Sequence, residues 1–184
     1  IEDVAVMFEI FQSFGGVVKK NAPNEYTLRL ESVRSTETPS DLAQKLRASI
    51  LFAGPLLARS GRAVMPPPGG DVIGRRRLDT HFLALTELGA QVKINGHFIF
   101  TANKLIGQDI FLDEASVTAT ENAVMAAATA EGDTIITNAA SEPHIQDLCN
   151  LLNAMGAHIT GIGSNILTIH GVPELHGAEY RIGA

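Results

Sequence analysis

One pattern occurs three times along this sequence and constrains the fold more than any other feature. Apolar residues at helical spacing lead into a glycine at positions 15, 89 and 156, and two short alternating strands follow each glycine. The glycines suit the left-handed conformation that ends many helices. The strands are predicted at 17–20 with 27–30, 91–94 with 98–101, and 158–160 with 166–169. Spacings of 74 and 67 residues are too long for a solenoid and indicate one supersecondary unit used three times.

Each of the first two units also contains a second helix and a further strand. A helix is predicted from Asp41 toward Gly61, bent or split at Pro55. Another starts at Thr118, where Thr118-Ala119-Thr120-Glu121 has capping-box spacing, and an alanine-rich stretch ending at Gly132 suggests close helix packing. Asp3 is expected to cap the first helix, and strands are expected at 63–65 and 134–138.

These elements predict a single α/β domain with threefold pseudo-symmetry, its repeats spanning about 1–65, 66–138 and 139–184. A hydrophobic content of 45% with 18% charged residues excludes a disordered chain. The single Cys149 cannot form an internal disulfide and no signal peptide is evident, so a cytoplasmic location is expected. Because the chain starts at Ile1 without a methionine, we expect a piece of a longer protein.

The positive charge is concentrated in one part of an acidic chain. Residues 45–77 hold seven of the 14 lysines and arginines, and Asp71 is the only acid there. That window carries a formal charge of +6, against −12 for the remainder. It is either a set of solvated helix ends with a basic connector or a site for an anionic ligand.

The stretch Pro66–Asp79 lies at the end of this window and is the least ordinary in the chain. Its three prolines and three glycines predict a loop. Such a loop can bring backbone amides and arginines to a phosphate, although basic loops with prolines are often plain surface connectors.

The loop sequence resembles the catalytic domain of the UDP-N-acetylglucosamine 1-carboxyvinyltransferase family. The resemblance starts from Pro68-Gly69-Gly70-Asp71-Val72-Ile73-Gly74-Arg75-Arg76-Arg77-Leu78-Asp79 and covers essentially all 184 residues. Further matching segments are Leu46–Ser49, Gly54–Leu56, Ser116–Val117, Ala119–Thr120, Ala127–Gly132, Asn138–Ala140, Glu142–Pro143 and Leu152–Ala157. The resemblance implies an inverse (inside-out) α/β barrel domain of the enolpyruvyl transferase type, and a second, facing domain that these residues do not include.

The resemblance also implies a reaction and its residues. The family transfers the enolpyruvyl group of phosphoenolpyruvate to the 3-hydroxyl of UDP-N-acetylglucosamine and releases phosphate. Asp71 falls on the position of the general acid, usually cysteine in this family, and Arg76 and Arg47 fall on positions that hold the anionic substrates. A cysteine there is the target of the antibiotic fosfomycin, so aspartate implies resistance. The remaining substrate-binding positions implied are Arg77, Leu78, Asp79, Thr80, Glu114, Ala115, Ser116 and Val117. The six histidines are scattered without metal-ligand spacing and no complete dinucleotide fingerprint occurs, so no metal and no cofactor are expected. The missing domain of the same chain is the expected partner.

Several of these positions also have ordinary structural explanations. Asp71 follows two glycines as a turn residue would, and its neighbouring arginines favour the ionised carboxylate rather than the acid. Asp79 is a candidate helix cap, while His81 and Cys149 are candidate packing residues. The chain departs from the family pattern at three positions, where Glu114, Thr118 and Ser141 replace a basic residue, a glycine and an arginine.

Two other functions remain open at this point. The chain could belong to a transferase like 5-enolpyruvylshikimate 3-phosphate synthase, which shares the barrel and the chemistry but not the proline-glycine-arginine loop. It could also be a non-catalytic binding module of the same fold. The acidic remainder opposes nucleic acid as a partner, and no apolar run approaches the roughly 20 residues of a membrane span.

Overall fold

The computed structural model describes residues 2–70 and 78–183. The helices are α1 (Glu2–Ser13), α2 (Ser40–Ala43), α3 (Ala53–Ser60), α4 (Asp79–Glu87), α5 (Val117–Ala127) and α6 (Pro143–Ala154), with a 3₁₀ helix at Arg47–Phe52. The strands are β1 (Val17–Ala22), β2 (Glu25–Arg29), β3 (Arg62–Met65), β4 (Gln91–Asn95), β5 (His97–Thr101), β6 (Asp109–Phe111), β7 (Asp133–Thr137), β8 (His158–Thr160) and β9 (Ile166–His170). No helix in this described part is both long and apolar enough to cross a membrane.

The three predicted glycine stops are confirmed. Gly15, Gly89 and Gly156 have φ angles of +100°, +99° and +99°, a region that side chains with a Cβ rarely adopt. Each glycine ends a helix and leads into one of the hairpins β1–β2, β4–β5 and β8–β9, all three of which are antiparallel. The local pattern therefore placed these elements correctly.

The strands form three separate sheets. β1 and β2 form a two-stranded sheet, β3-β5-β4 a three-stranded sheet and β6-β7-β9-β8 a four-stranded sheet. All pairs are antiparallel except β6 with β7, which are parallel. The short strand β6 was absent from the sequence-based prediction. The repeat boundaries at residues 65 and 138 stay a prediction.

Helix α5 is the centre of the helical layer and packs against α3, α4 and α6. Ala119, Ala123, Ala126 and Ala127 are all fully buried, which confirms the prediction that the alanine-rich helix packs closely. Small side chains let neighbouring helices approach closely, so the first turn of α5 is held in a fixed place relative to α3 and α4.

Three predicted helix starts are wrong in detail. Asp3 already lies inside α1, which begins at Glu2. Thr118 is the second residue of α5, because Ser116 is the N-cap and its hydroxyl oxygen accepts a hydrogen bond from the Ala119 amide. Asp79 is the first residue of α4 and follows Leu78, which occupies the N-cap position.

The helix predicted from Asp41 to Arg59 is split, but not at Pro55. Helix α2 ends at Ala43, and the 3₁₀ helix intervenes before α3 begins at Ala53. Pro55 is the third residue of α3, within the first turn, where backbone N–H groups have no carbonyl partner in the helix. The missing N–H of proline therefore costs nothing there.

Candidate functional site

Three of the proposed site residues, Asp71, Arg76 and Arg77, lie outside the described residues, together with Arg75. The site can be built from the two ends of that segment. The described chain stops at Gly70 and resumes at Leu78. Both ends lie beside other residues that the sequence pointed to.

The first end is fixed against the segment that links α2 to the 3₁₀ helix. The Gly69 amide donates to the Ala43 carbonyl oxygen at 3.0 Å, and the Gly70 amide donates to the Gln44 oxygen at 3.4 Å. A Cβ on Gly69 would lie 1.6 Å from that Gln44 oxygen, so only glycine fits. A Cβ on Gly70 would lie 3.1 Å from the backbone nitrogen of Arg47. Gly70, the last described residue before Asp71, therefore lies beside Arg47.

Arg47 is half-buried and is the first residue of the 3₁₀ helix. The positive charge of Arg47 acts on the first turn of α4, where it contributes to the lowered pKa of His81. Arg47 therefore lies beside Gly70 and close enough to His81 of α4 to lower its pKa.

The second end is tied to the turn that precedes α5. Leu78 and Thr80 are buried, whereas Asp79 is exposed. The Thr80 hydroxyl donates to Asp113 Oδ1 at 2.7 Å. This bond holds the first turn of α4 against the residues just before Glu114.

The predicted substrate-binding positions 114–117 form the entry to α5. Glu114 and Ala115 are exposed, and Ser116 and Val117 are half-buried. The Ser116 oxygen caps the helix, which leaves its hydroxyl hydrogen available to donate. The first turn of α5 also presents backbone N–H groups and the positive end of the helix dipole.

A buried polar network beneath these elements was missed by the sequence analysis. Asn122 Nδ2 donates to the Ile50 carbonyl at 2.9 Å and to His81 Nδ1 at 3.0 Å, while its Oδ1 accepts the Gly54 amide at 2.8 Å. Because His81 Nδ1 accepts this bond, the ring hydrogen lies on Nε2, which donates to the Thr118 hydroxyl at 3.1 Å. A lone asparagine in an alanine-rich helix was the available signal.

This network keeps His81 neutral. Burial, and secondarily the charge of Arg47, lower the pKa of His81 from 6.5 to about 4. A proton on Nδ1 would also face the Asn122 amide hydrogen. His81 therefore acts as a neutral packing and hydrogen-bonding residue, the structural role that the sequence left open.

We expect the stability of the whole protein to fall as pH decreases from about 6.5 to about 4, because the unfolded chain then protonates His81 and the folded chain does not. One such group contributes a slope of up to about 1.4 kcal/mol per pH unit. Urea unfolding at several pH values should show a smaller slope in His81→Gln. The exposed His158 supplies the control, and equal slopes in His81→Gln and His158→Gln would contradict the prediction.

Cys149 does not take part in this site. It is fully buried on α6, and burial raises the pKa of its thiol to about 11. The predicted core role of Cys149 is confirmed.

The described residues thus gather Arg47, the two ends of the Asp71 segment and the first turns of α4 and α5. A guanidinium and two helix amino ends favour negatively charged groups. The arrangement can bind anions beside a segment that carries one carboxylate and three arginines.

The curated proteins that are similar to this chain share one name. Over 184 residues it is 68% identical to the UDP-N-acetylglucosamine 1-carboxyvinyltransferase of Treponema pallidum, matching 100% of this chain and 43% of that protein. The protein of the same name from Bradyrhizobium diazoefficiens is 53% identical, over 99% of this chain and 42% of its own length. The chain therefore spans less than half the length of these curated relatives.

Solved structures give the same fold. The enolpyruvyl transferase NikO from Streptomyces tendae matches 94% of this chain and 41% of its own with a TM-score of 0.76 and 26% identity. EPSP synthase from Acinetobacter baumannii matches 96% of this chain and 40% of its own chain, with a TM-score of 0.70 and 22% identity. At that identity, the match supports the fold alone. The predicted enolpyruvyl transferase fold is confirmed.

The family profile described as EPSP synthase (3-phosphoshikimate 1-carboxyvinyltransferase) matches residues 1–184. The match extends from the first residue to the last and includes every described element near Arg47. The chain belongs to the EPSP synthase family of carboxyvinyl transferases.

Proposed function

We propose that the protein containing this chain transfers the enolpyruvyl group of phosphoenolpyruvate to the 3-hydroxyl of UDP-N-acetylglucosamine and releases phosphate. This would be the first committed step of peptidoglycan synthesis, carried out in the cytoplasm. The observation that carries the proposal is the 68% identity, along the whole chain, to a protein named for that activity. Because the chain spans 43% of that relative, the activity is assigned to the whole protein.

The charges and helix ends around Arg47 support this assignment. Both substrates are anions, and each needs fixed positive charge where its phosphate groups lie. In the proposed arrangement, Arg47 and Arg76 hold phosphoenolpyruvate. The segment Arg76–Thr80 and residues 114–117 hold the nucleotide sugar, with Ser116 donating to the diphosphate.

Asp71 is proposed as the general acid. It gives a proton to the methylene carbon of phosphoenolpyruvate while the sugar 3-hydroxyl adds to the neighbouring carbon and loses its own proton. The tetrahedral product then loses phosphate and one proton from the new methyl group, which restores the double bond. Arg76 is placed to stabilise the phosphate as it leaves.

Shikimate 3-phosphate is the alternative acceptor, and a specific observation favours it. The family description that matches residues 1–184 names that reaction. The chain is 68% and 53% identical to relatives named for UDP-N-acetylglucosamine, but 22% identical to the solved EPSP synthase. We therefore choose the nucleotide sugar as the acceptor. A binding module without catalysis is the third possibility.

The whole protein, expressed from its complete open reading frame, separates these possibilities. We expect phosphate release from phosphoenolpyruvate with UDP-N-acetylglucosamine and only background release with shikimate 3-phosphate. The 184-residue chain alone should stay at background, since the facing domain is missing. Release with neither acceptor by the whole protein would favour the binding module.

Arg76→Ala is expected to slow turnover of the whole protein at least about tenfold, because charge-assisted hydrogen bonds contribute about 1.5 to 3 kcal/mol each. Lys19→Ala, on the exposed face of β1, removes the same charge elsewhere and should leave the rate unchanged. Equal rates for both variants would remove Arg76 from the site.

A further inference from the structure

Two of the scattered histidines become neighbours in the four-stranded sheet. His158 on β8 lies directly opposite His170 on β9, and Asp133 on β7 lies opposite His170 on the other side. We call these three residues, side by side on adjacent strands, the histidine row. His158 and His170 are 12 residues apart in the sequence, so it is the strand register that brings them together.

The histidine row lies on the outer side of the sheet. Ile159 and Ile169, the paired residues next to the two histidines, are 4% and 0% exposed and belong to the core. Successive side chains of a strand point to opposite faces, so the row projects away from the core. All three of its residues are exposed, and an ion in solution can therefore reach them.

Asp133 sets the orientation of the His170 ring and the position of its hydrogen. His170 Nδ1 lies 2.7 Å from Asp133 Oδ1. An ionised carboxylate only accepts hydrogen bonds, so Nδ1 is the donor and Nε2 of the neutral ring keeps its lone pair. Metal-binding histidines commonly have this arrangement, in which one nitrogen binds the ion and the other donates to a carboxylate.

His158 places a second imidazole beside the first. Side chains directly opposite each other on antiparallel strands have Cβ atoms about 4.5 to 5.5 Å apart and lie on the same face. Two rings that start from such positions can direct one nitrogen each toward a shared ion, at the roughly 2.0 to 2.1 Å of a zinc–nitrogen bond.

The donor set selects the class of ion. Imidazole nitrogen suits zinc, copper and nickel, whereas magnesium and calcium prefer oxygen ligands. Across residues 2–70 and 78–183, no group of three or more histidine, cysteine, aspartate or glutamate side chains is arranged to hold a metal ion. The protein therefore supplies two ligands here, and water completes the coordination.

We propose that His158 and His170 together bind a divalent transition-metal ion of the zinc class on the outer face of the sheet. Asp133 is a positioning residue, because it acts on the ion through the His170 ring. Its negative charge also favours a cation at this place.

This metal site is separate from the anion site around Arg47. Helix α5 has 11 residues and is about 16 Å long, and its first turn borders the anion site. The histidine row lies toward its other end, where the Val172 amide, two residues after His170, donates to the Ala128 carbonyl. The inference rests on strand register and hydrogen bonding, and it is independent of the proposed activity.

Chemical modification of the whole protein tests the site directly. Diethyl pyrocarbonate reacts with unprotonated imidazole nitrogen, and a bound metal ion blocks the nitrogen that it occupies. Saturating Zn²⁺ should slow the modification of His158 and of His170 at least about tenfold, as mapped by mass spectrometry, whereas Mg²⁺ should not. His97 on β5, in another sheet, is the internal control and should react equally with and without Zn²⁺. Slowing at neither histidine of the row, or at only one of them, would overturn the proposal.

Calorimetric titration of the whole protein with Zn²⁺ measures the contribution of each ligand. His158→Gln and His170→Gln should each weaken Zn²⁺ binding at this site at least about tenfold, because a single imidazole remains. His97→Gln should bind Zn²⁺ as the natural protein does. Equal affinity in the natural protein and both row variants would leave His170 and Asp133 as a surface ion pair only, and would overturn the proposal.

Two substitutions of Asp133 test its positioning role. Asp133→Ala should weaken Zn²⁺ binding about tenfold, within the range found when the carboxylate partner of a metal-binding histidine is removed. Asp133→Asn should weaken it less, since the amide oxygen still accepts the Nδ1 hydrogen. Unchanged affinity in Asp133→Ala would contradict the role of Asp133.

Discussion

Replacing Asn122 with leucine is expected to lower the free energy of unfolding of the whole protein by about 2 to 6 kcal/mol. The change leaves the buried Gly54 amide and His81 Nδ1 without their partners, and each unsatisfied buried group costs about 1 to 3 kcal/mol. The Ile50 carbonyl loses one of its two donors and keeps the Ala53 amide. Urea unfolding at pH 7 measures the loss.

The exposed Asn103 supplies the matched control for this substitution. Asn103→Leu makes the same chemical change at a surface position and should alter the free energy of unfolding by no more than about 0.5 kcal/mol. A loss below 1 kcal/mol in Asn122→Leu would show that the network contributes little. In that case, the positions of α4 and α5 would have to depend on apolar packing alone.

The hairpins and their helices could be predicted because their signals are local. A helix that stops at Gly15, Gly89 or Gly156 needs only a residue that tolerates positive φ, and the following strands alternate over a few residues. Nothing distant has to be known to place such an element. Their use three times made the α/β class predictable as well.

The elements that the prediction missed depend on distant partners. Strand β6 is three residues long and exists through its parallel pairing with β7, about 25 residues further along the chain. Helix α2 ends at Ala43, and there the carbonyl oxygens of Ala43 and Gln44 accept hydrogen bonds from the amides of Gly69 and Gly70. Neither feature has a local signature.

The candidate site likewise contains residues that the sequence could predict and one that it could not. Arg47, Thr80 and Ser116 were named from the family resemblance, and the structure places their segments around one another. Asn122 was not named, because its value lies in joining Ile50, Gly54 and His81, which are 41 to 72 residues away in sequence. A buried hydrogen-bond network of this kind becomes visible only once the helices are packed.

Asp71→Asn is expected to reduce turnover of the whole protein by about 10²- to 10⁴-fold, the range that positioned acids contribute. Asparagine keeps the preference for a turn after two glycines but has no proton of suitable acidity to donate. Binding of UDP-N-acetylglucosamine should be retained, which separates loss of the acid from loss of the loop. Unchanged turnover in Asp71→Asn would leave Asp71 with the turn role alone.

The same position predicts the response to fosfomycin, an epoxide that alkylates a thiolate. A carboxylate is the weaker nucleophile, so we expect the natural protein to keep its activity and its intact mass when incubated with fosfomycin and UDP-N-acetylglucosamine. Asp71→Cys should still turn over, since a thiol can also donate the proton, but it should gain one covalent adduct and lose activity. Cys149 offers no alternative target because it is fully buried and burial raises the pKa of its thiol to about 11. Rapid inactivation of the natural protein with an adduct on the segment 71–77 would contradict the assignment of Asp71. An adduct found only in Asp71→Cys would support it, because either group can transfer the proton but only sulfur is alkylated.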